Sequence, residues 1–133
     1  MILSLTARQI SILAAYGALL WFIAAQLVRV LGPMGAFDGV AGLITYALVI
    51  PGTVPTLLIM RWIGTLRTDQ TALGVTTVTA TALLLDGLAH AWFPQLYGTD
   101  PALIIKGAAA IFWGAGVGLV LGLVMNRPAT PQA

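Results

Sequence analysis

An acid and an imidazole four residues apart, Asp86 and His90, are the sharpest chemical signal in a chain of 133 residues with one histidine and no cysteine. Counted at a helical 100° per residue, Thr79, Ala82, Asp86 and His90 fall on one stripe, so the two ionisable groups are neighbours on one helix face. The surrounding run LLLDGLAHAWF is otherwise apolar. A carboxylate roughly 10 Å inside such a run costs several kcal/mol unless it is paired, protonated or wet. Other polar residues meet the same depth: Gln26 and Arg29 late in the first apolar run, Asp38 ahead of the second, and Lys106 at the start of the fourth. Together they predict one cluster, with two readings. In one, Asp86 pairs with Arg29 or Lys106 and locks the structure, as buried charges generally require. In the other, Asp86 is a titrating group that answers to a proton or a ligand, with His90 as relay. The usual enzymatic patterns are missing from the sequence. It has no glycine-rich phosphate loop and no Ser-His-Asp arrangement, and a single histidine cannot supply the paired imidazoles of haem or zinc sites. The expectation is a protein that is not an enzyme, with no cofactor and no metal.

The elements that must position these residues follow from composition. Apolar residues make up 59% of the chain and charged residues 8%, against about a quarter charged in an average soluble domain. Six Lys/Arg and four Asp/Glu cannot clothe a water-facing surface, and the cations are scattered rather than gathered into a nucleic-acid patch. The chain therefore reads as an integral membrane protein. A bilayer core of about 30 Å takes about 20 apolar residues, and four runs qualify, at about 10–31, 40–63, 71–93 and 102–125. The connectors GPMGAFDG, GTLRTDQ and PQLYGTDP are short and carry their own helix breakers, which predicts a single all-α domain, an up-down-up-down four-transmembrane-helix bundle. No small-residue cleavage site follows the first run, so it reads as a retained helix rather than a signal peptide. Arg8, Arg61, Arg67 and Arg127 would share one side and Arg29 and Lys106 the other. Four basic residues against two places both termini, with the short tail 126–133, in the cytoplasm of a bacterial inner membrane.

Within the spans, packing signals outnumber chemical ones. Ala110, Gly114, Gly118 and Gly122 repeat in steps of four along the fourth run, a smooth stripe that admits a neighbouring backbone, either inside the bundle or across a homodimer seam. Pro51 and Pro55 leave the carbonyls of Ala47 and Pro51 without helical donors and predict a kink, which Thr53 and Thr56 could partly re-satisfy. Thr76, Thr77, Thr79 and Thr81 make one half of the third run rich in hydroxyls, which in membrane helices usually bond their own backbone. Trp62, Trp92, Phe93 and Tyr97 stand at helix ends and read as interfacial anchors. Trp21, Phe22, Phe112 and Trp113 lie deep, as pocket walls or as filler.

The stretches LLLDGLAHAWFPQLYG and IFWGAGVGLVLGL, within about residues 79–126, resemble an uncharacterised family of small bacterial four-helix membrane proteins, a domain of unknown function. The resemblance implies a four-span bundle and a recurrent role for the position of Asp86. It implies no activity. The chain departs from the family's aromatic WGYG-like stretch at Gly114, Ala115 and Gly116. Two functions are compatible with these features. The first is a helix-packing protein, an accessory subunit or self-assembling bundle with the Asp86 cluster as its lock. The second is a small proton-coupled transporter or permeation unit in which Asp86 is the coupling carboxylate. Either would have membrane lipids around it and a homodimer or larger membrane complex as its assembly, with no nucleic acid.

Overall fold

The computed structural model describes residues 4–128. Four helices account for nearly all of it: α1 (Ala7–Leu31), α2 (Gly39–Ile63), α3 (Thr71–Trp92) and α4 (Pro101–Met125). Each is long and apolar enough to cross a membrane. Their limits fall within a few residues of the apolar runs because breakers and caps stand where the runs end. Thr6 and Gln9 form a reciprocal cap that starts α1 three residues ahead of the apolar run. Asp100 accepts from the Ala102 amide and Pro101 takes the first helical position of α4. Residues 129–133, most of the expected tail, lie outside the described residues.

Polar contacts between helix ends fix the alternation. Gln9 at the start of α1 donates to the carbonyl of Gly64 after α2, at 3.2 Å. Asn126 at the end of α4 accepts from the Ala72 amide at the start of α3, at 3.0 Å, and the Arg127 amide bonds the Thr68 carbonyl. At the opposite end Lys106 of α4 is paired with Asp38, which precedes α2. The helices thus run up-down-up-down, as the short connectors predict. Their order around the bundle is less obvious: α1 packs on α3, α3 on α4 and α4 on α2, while the consecutive pair α1 and α2 barely touch.

Small residues explain that order. A Cβ built on Gly17 of α1 would lie 2.6 Å from the Val78 carbonyl oxygen, so α1 and α3 cross backbone to backbone at this point. Gly122 of α4 admits Val75 of α3, and Gly107 of α4 admits Val28 of α1. Two buried clusters result, one around Leu13, Tyr16, Leu57, Met60, Val75 and Val78, the other around Ala25, Val28, Ala89 and Tyr97. The outward faces carry Leu19, Leu43, Trp62, Leu84, Trp92 and Phe112, all strongly exposed. That inside-out distribution fits lipid as solvent.

Two expectations about the helices change. The stripe on α4 does face the bundle interior, but only Gly122 is tight; Gly114 and Gly118 have no atom nearer than 3.9 Å, and they line a cavity with Ala110. Pro51 and Pro55 both lie inside the helical span of α2. Thr53 and Thr56 bond the carbonyls of Val49 and Thr53 instead of the orphaned ones at Ala47 and Pro51, because a hydroxyl reaches the carbonyl three or four residues back from itself, not from the proline. The hydroxyls of Thr76, Thr77 and Thr81 do turn back to their own helix.

Candidate functional site

The site is assembled at Asp86 by a residue the sequence places elsewhere. After Trp92 the chain meets Pro94, which cannot continue the helix, and makes a single 3-10 turn at Pro94–Leu96. Gly98, at φ +149°, then carries the backbone through a conformation side chains rarely adopt. This turn folds Tyr97 back over the end of α3, where it is 1% exposed. Tyr97 is therefore a core residue and not an interfacial anchor, whereas Trp62, Trp92 and Phe93 are exposed at helix ends as anchors would be.

The Tyr97 hydroxyl donates to Asp86 Oδ1 at 2.7 Å and accepts from Trp21 Nε1 at 2.9 Å. A chain of three side chains thus links α1, the α3–α4 turn and α3. Asp86 is only 7% exposed, and an O–H donor on a carboxylate is among the stronger hydrogen bonds available to it. Burial raises the pKa of the Tyr97 phenol, and the bond to Asp86 raises it further, so the tyrosine stays a donor. The ring of His90 stacks on that of Tyr97 with centroids 3.7 Å apart. Its Nδ1 lies 2.8 Å from the main-chain oxygen of Asp86. A carbonyl can only accept, so Nδ1 carries the proton, and Nε2 is left buried without a partner. His90 is therefore a buttress for Tyr97 and touches the backbone of Asp86 rather than its carboxyl group.

The expected cluster of charges does not form around Asp86. Lys106 pairs with Asp38 at the surface, with both side chains about half exposed. Arg29 is exposed and borders a separate hollow of about 220 Å³ beside Pro33, Tyr97, Gly98 and Thr99. Gln26 is half-buried and makes no side-chain hydrogen bond among the described residues. Depth alone put these groups together; their angular positions on α1 and α4 keep them apart. The remaining ion pair among the described residues is Arg67 with Asp69, at the opposite end.

Asp86 instead borders an apolar cavity of about 450 Å³ that all four helices line, from Met60 and Val75 at one end to Leu31 and Phe37 at the other. Such a volume suits a small organic molecule. Thr79, Ala82 and Asp86 present the predicted stripe of α3 to it, and Trp21, Trp113, Tyr46 and the small residues of α4 complete the walls. Trp113 stacks on Tyr46 at 5.4 Å and donates to the Tyr46 carbonyl at 3.0 Å. Of the four deep aromatics, Trp21 and Trp113 are thus walls, while Phe22 and Phe112 face outward. Residues of both α1 and α2, the pair that barely touch, line the cavity, among them Leu20, Ala24 and Leu27 of α1 and Thr45, Val49 and Gly52 of α2. Among the described residues no three His, Asp or Glu side chains converge to hold a metal ion. The signal for Tyr97 in the sequence was the proline stop of WFPQLYG, which forces a turn within reach of Asp86. Compared with protein-family models, with curated proteins and with solved structures, the chain gives no match.

Proposed function

We propose that this protein is a small integral membrane carrier or permeation unit that takes an apolar guest sideways from the bilayer through the α1–α2 seam, with Asp86 as the group that responds to it. The observation that carries this reading is a carboxylate, nine-tenths buried, on the wall of an otherwise apolar cavity of about 450 Å³. A purely structural acid would be expected to bury both oxygens against partners. Here Oδ1 is bonded to Tyr97, while Oδ2 makes no hydrogen bond among the described residues. The four basic residues at the end shared by the termini support an orientation with that end in the cytoplasm, and a bacterial inner membrane as the setting.

A second reading, the helix-packing accessory subunit or self-assembling bundle, is favoured by the same open seam, which one transmembrane helix of a partner or of a second copy could close. One experiment separates them. In lipid nanodiscs, the variant carrying Trp62→Phe and Trp92→Phe retains only Trp21 and Trp113 as tryptophans, both on the cavity wall. Triphenylmethanol should change their fluorescence saturably, and Gly118→Leu, which fills the cavity, should abolish the effect. A change that is non-saturable, or identical in Gly118→Leu, overturns the carrier reading. A protein that co-purifies in mild detergent and shields both tryptophans would establish the packing role.

A further inference from the structure

Resting on the carrier reading, we infer that the guest is a lipophilic monovalent cation, held by the carboxyl group of Asp86 and by the aromatic faces of Trp21, Tyr46 and Trp113. Charge complementarity carries the assignment. Among the described residues Asp86 is the sole charged residue on the cavity wall, and no lysine, arginine or histidine shares that wall to neutralise it. Its partner Tyr97 supplies a hydrogen bond without supplying a positive charge. The negative charge therefore stays available to a guest, in a setting where water screens it poorly. The lining around it is apolar, so a small hydrated ion would lose its shell and regain a single oxygen ligand. A cation that carries its own apolar body loses little on entry and gains contact over the whole wall. Indole and phenol rings attract such cations through their faces. Anionic lipid headgroups and fatty carboxylates meet the opposite field and are excluded. The Trp21–Tyr97–Asp86 chain holds the carboxylate still, so its direction is set before a guest arrives.

The test is equilibrium binding in phosphatidylcholine nanodiscs, against empty nanodiscs, of three probes of similar bulk: tetraphenylphosphonium, the neutral triphenylmethanol and the anionic tetraphenylborate. Wild type should bind the phosphonium saturably, with one site per bundle. Borate should bind on the order of 30-fold more weakly or not at all, and Asp86→Asn should weaken phosphonium binding by a similar factor while leaving triphenylmethanol unchanged. Tyr97→Phe, which keeps the charge, should retain the preference for the cation. Equal binding of phosphonium and borate, or an Asp86→Asn protein that binds phosphonium like wild type, overturns the cation assignment while the apolar cavity stands. If neither phosphonium nor triphenylmethanol binds saturably, the carrier reading falls and the cation assignment with it. The comparison of the three probes on wild type decides the matter even if Asp86→Asn does not fold.

Discussion

Replacing Tyr97 by phenylalanine isolates the one hydroxyl on which the site depends. The ring, its place in the core and its stack on His90 are kept, and only the oxygen goes. Two bonds are lost together, to Asp86 Oδ1 at 2.7 Å and from Trp21 Nε1 at 2.9 Å. A hydrogen bond to a charged group is worth about 1.5–3 kcal/mol, and leaving an indole N–H buried and unpaired costs about 1–3 kcal/mol. The expected loss is therefore on the order of 3–4 kcal/mol, a large fraction of the roughly 5–15 kcal/mol that holds a typical domain together. Unfolding by a rising fraction of sodium dodecyl sulfate in mixed micelles, followed by circular dichroism, measures it. Trp21→Phe removes only the outer bond and should cost about 1 kcal/mol. Asp86→Asn keeps an acceptor for the tyrosine and should also cost about 1 kcal/mol, far less than if it stranded a buried cation. In a double-mutant cycle, Tyr97→Phe and Asp86→Asn should couple by about 1–3 kcal/mol. A Tyr97→Phe protein within about 0.5 kcal/mol of wild type, with no coupling to Asp86, would refute the chain of bonds.

Three further outcomes follow from the packing and the charges. Gly17→Ala forces a Cβ against the Val78 carbonyl and should cost about 2 kcal/mol or more, whereas Gly118→Ala has open space and should be neutral or gain up to about 1 kcal/mol of helix propensity; micelle unfolding of the pair checks both. Because the phenol pKa of Tyr97 is raised in the folded state, the unfolded chain gives up that proton first, so stability should fall as pH climbs above about 10, and Tyr97→Phe should flatten that slope; unfolding between about pH 9 and 11 reads it. Reporter fusions should place the carboxyl terminus in the cytoplasm and a site after Thr99 outside, and the reverse pattern would overturn the orientation drawn from the basic residues.

What the sequence made legible divides along a physical line. Length and apolarity define a span in one dimension, so the four helices, their breakers and the depth of Asp86 could all be read from the chain. Angular position on one helix was legible too: Thr79, Ala82 and Asp86 share a face, and Ala110, Gly114 and Gly118 look inward. What could not be read is how faces on different helices meet. Arg29 and Lys106 were matched to Asp86 by depth, yet one is exposed beside the α3–α4 turn and the other is drawn to Asp38. The ring order depends on single close approaches such as Gly17 on Val78, which no repeat announces. Tyr97 was misplaced for a related reason. An aromatic beyond a helix end ordinarily sits at the interface, and only the 3-10 turn after Pro94 brings it back to a residue 76 positions away on α1.

The choice of partner for Asp86 decides what the site can do. An arginine or lysine at the carboxylate would hold the bundle together and cancel the charge in one step, leaving nothing for a guest to meet. A tyrosine divides those tasks. Its hydroxyl fixes Oδ1, its ring is itself fixed by His90, and Trp21 supplies a donor that keeps the phenol oxygen oriented. Rigidity is thereby built from hydrogen bonds and ring stacking, and Asp86 forms no ion pair among the described residues. Lys106, which could have neutralised it, is paired instead with Asp38 at the rim. A bundle that needed Asp86 only for packing would gain by satisfying both of its oxygens. This one hydrogen-bonds Oδ1 to Tyr97, gives Oδ2 no hydrogen bond among the described residues, and sets the residue on the wall of the cavity.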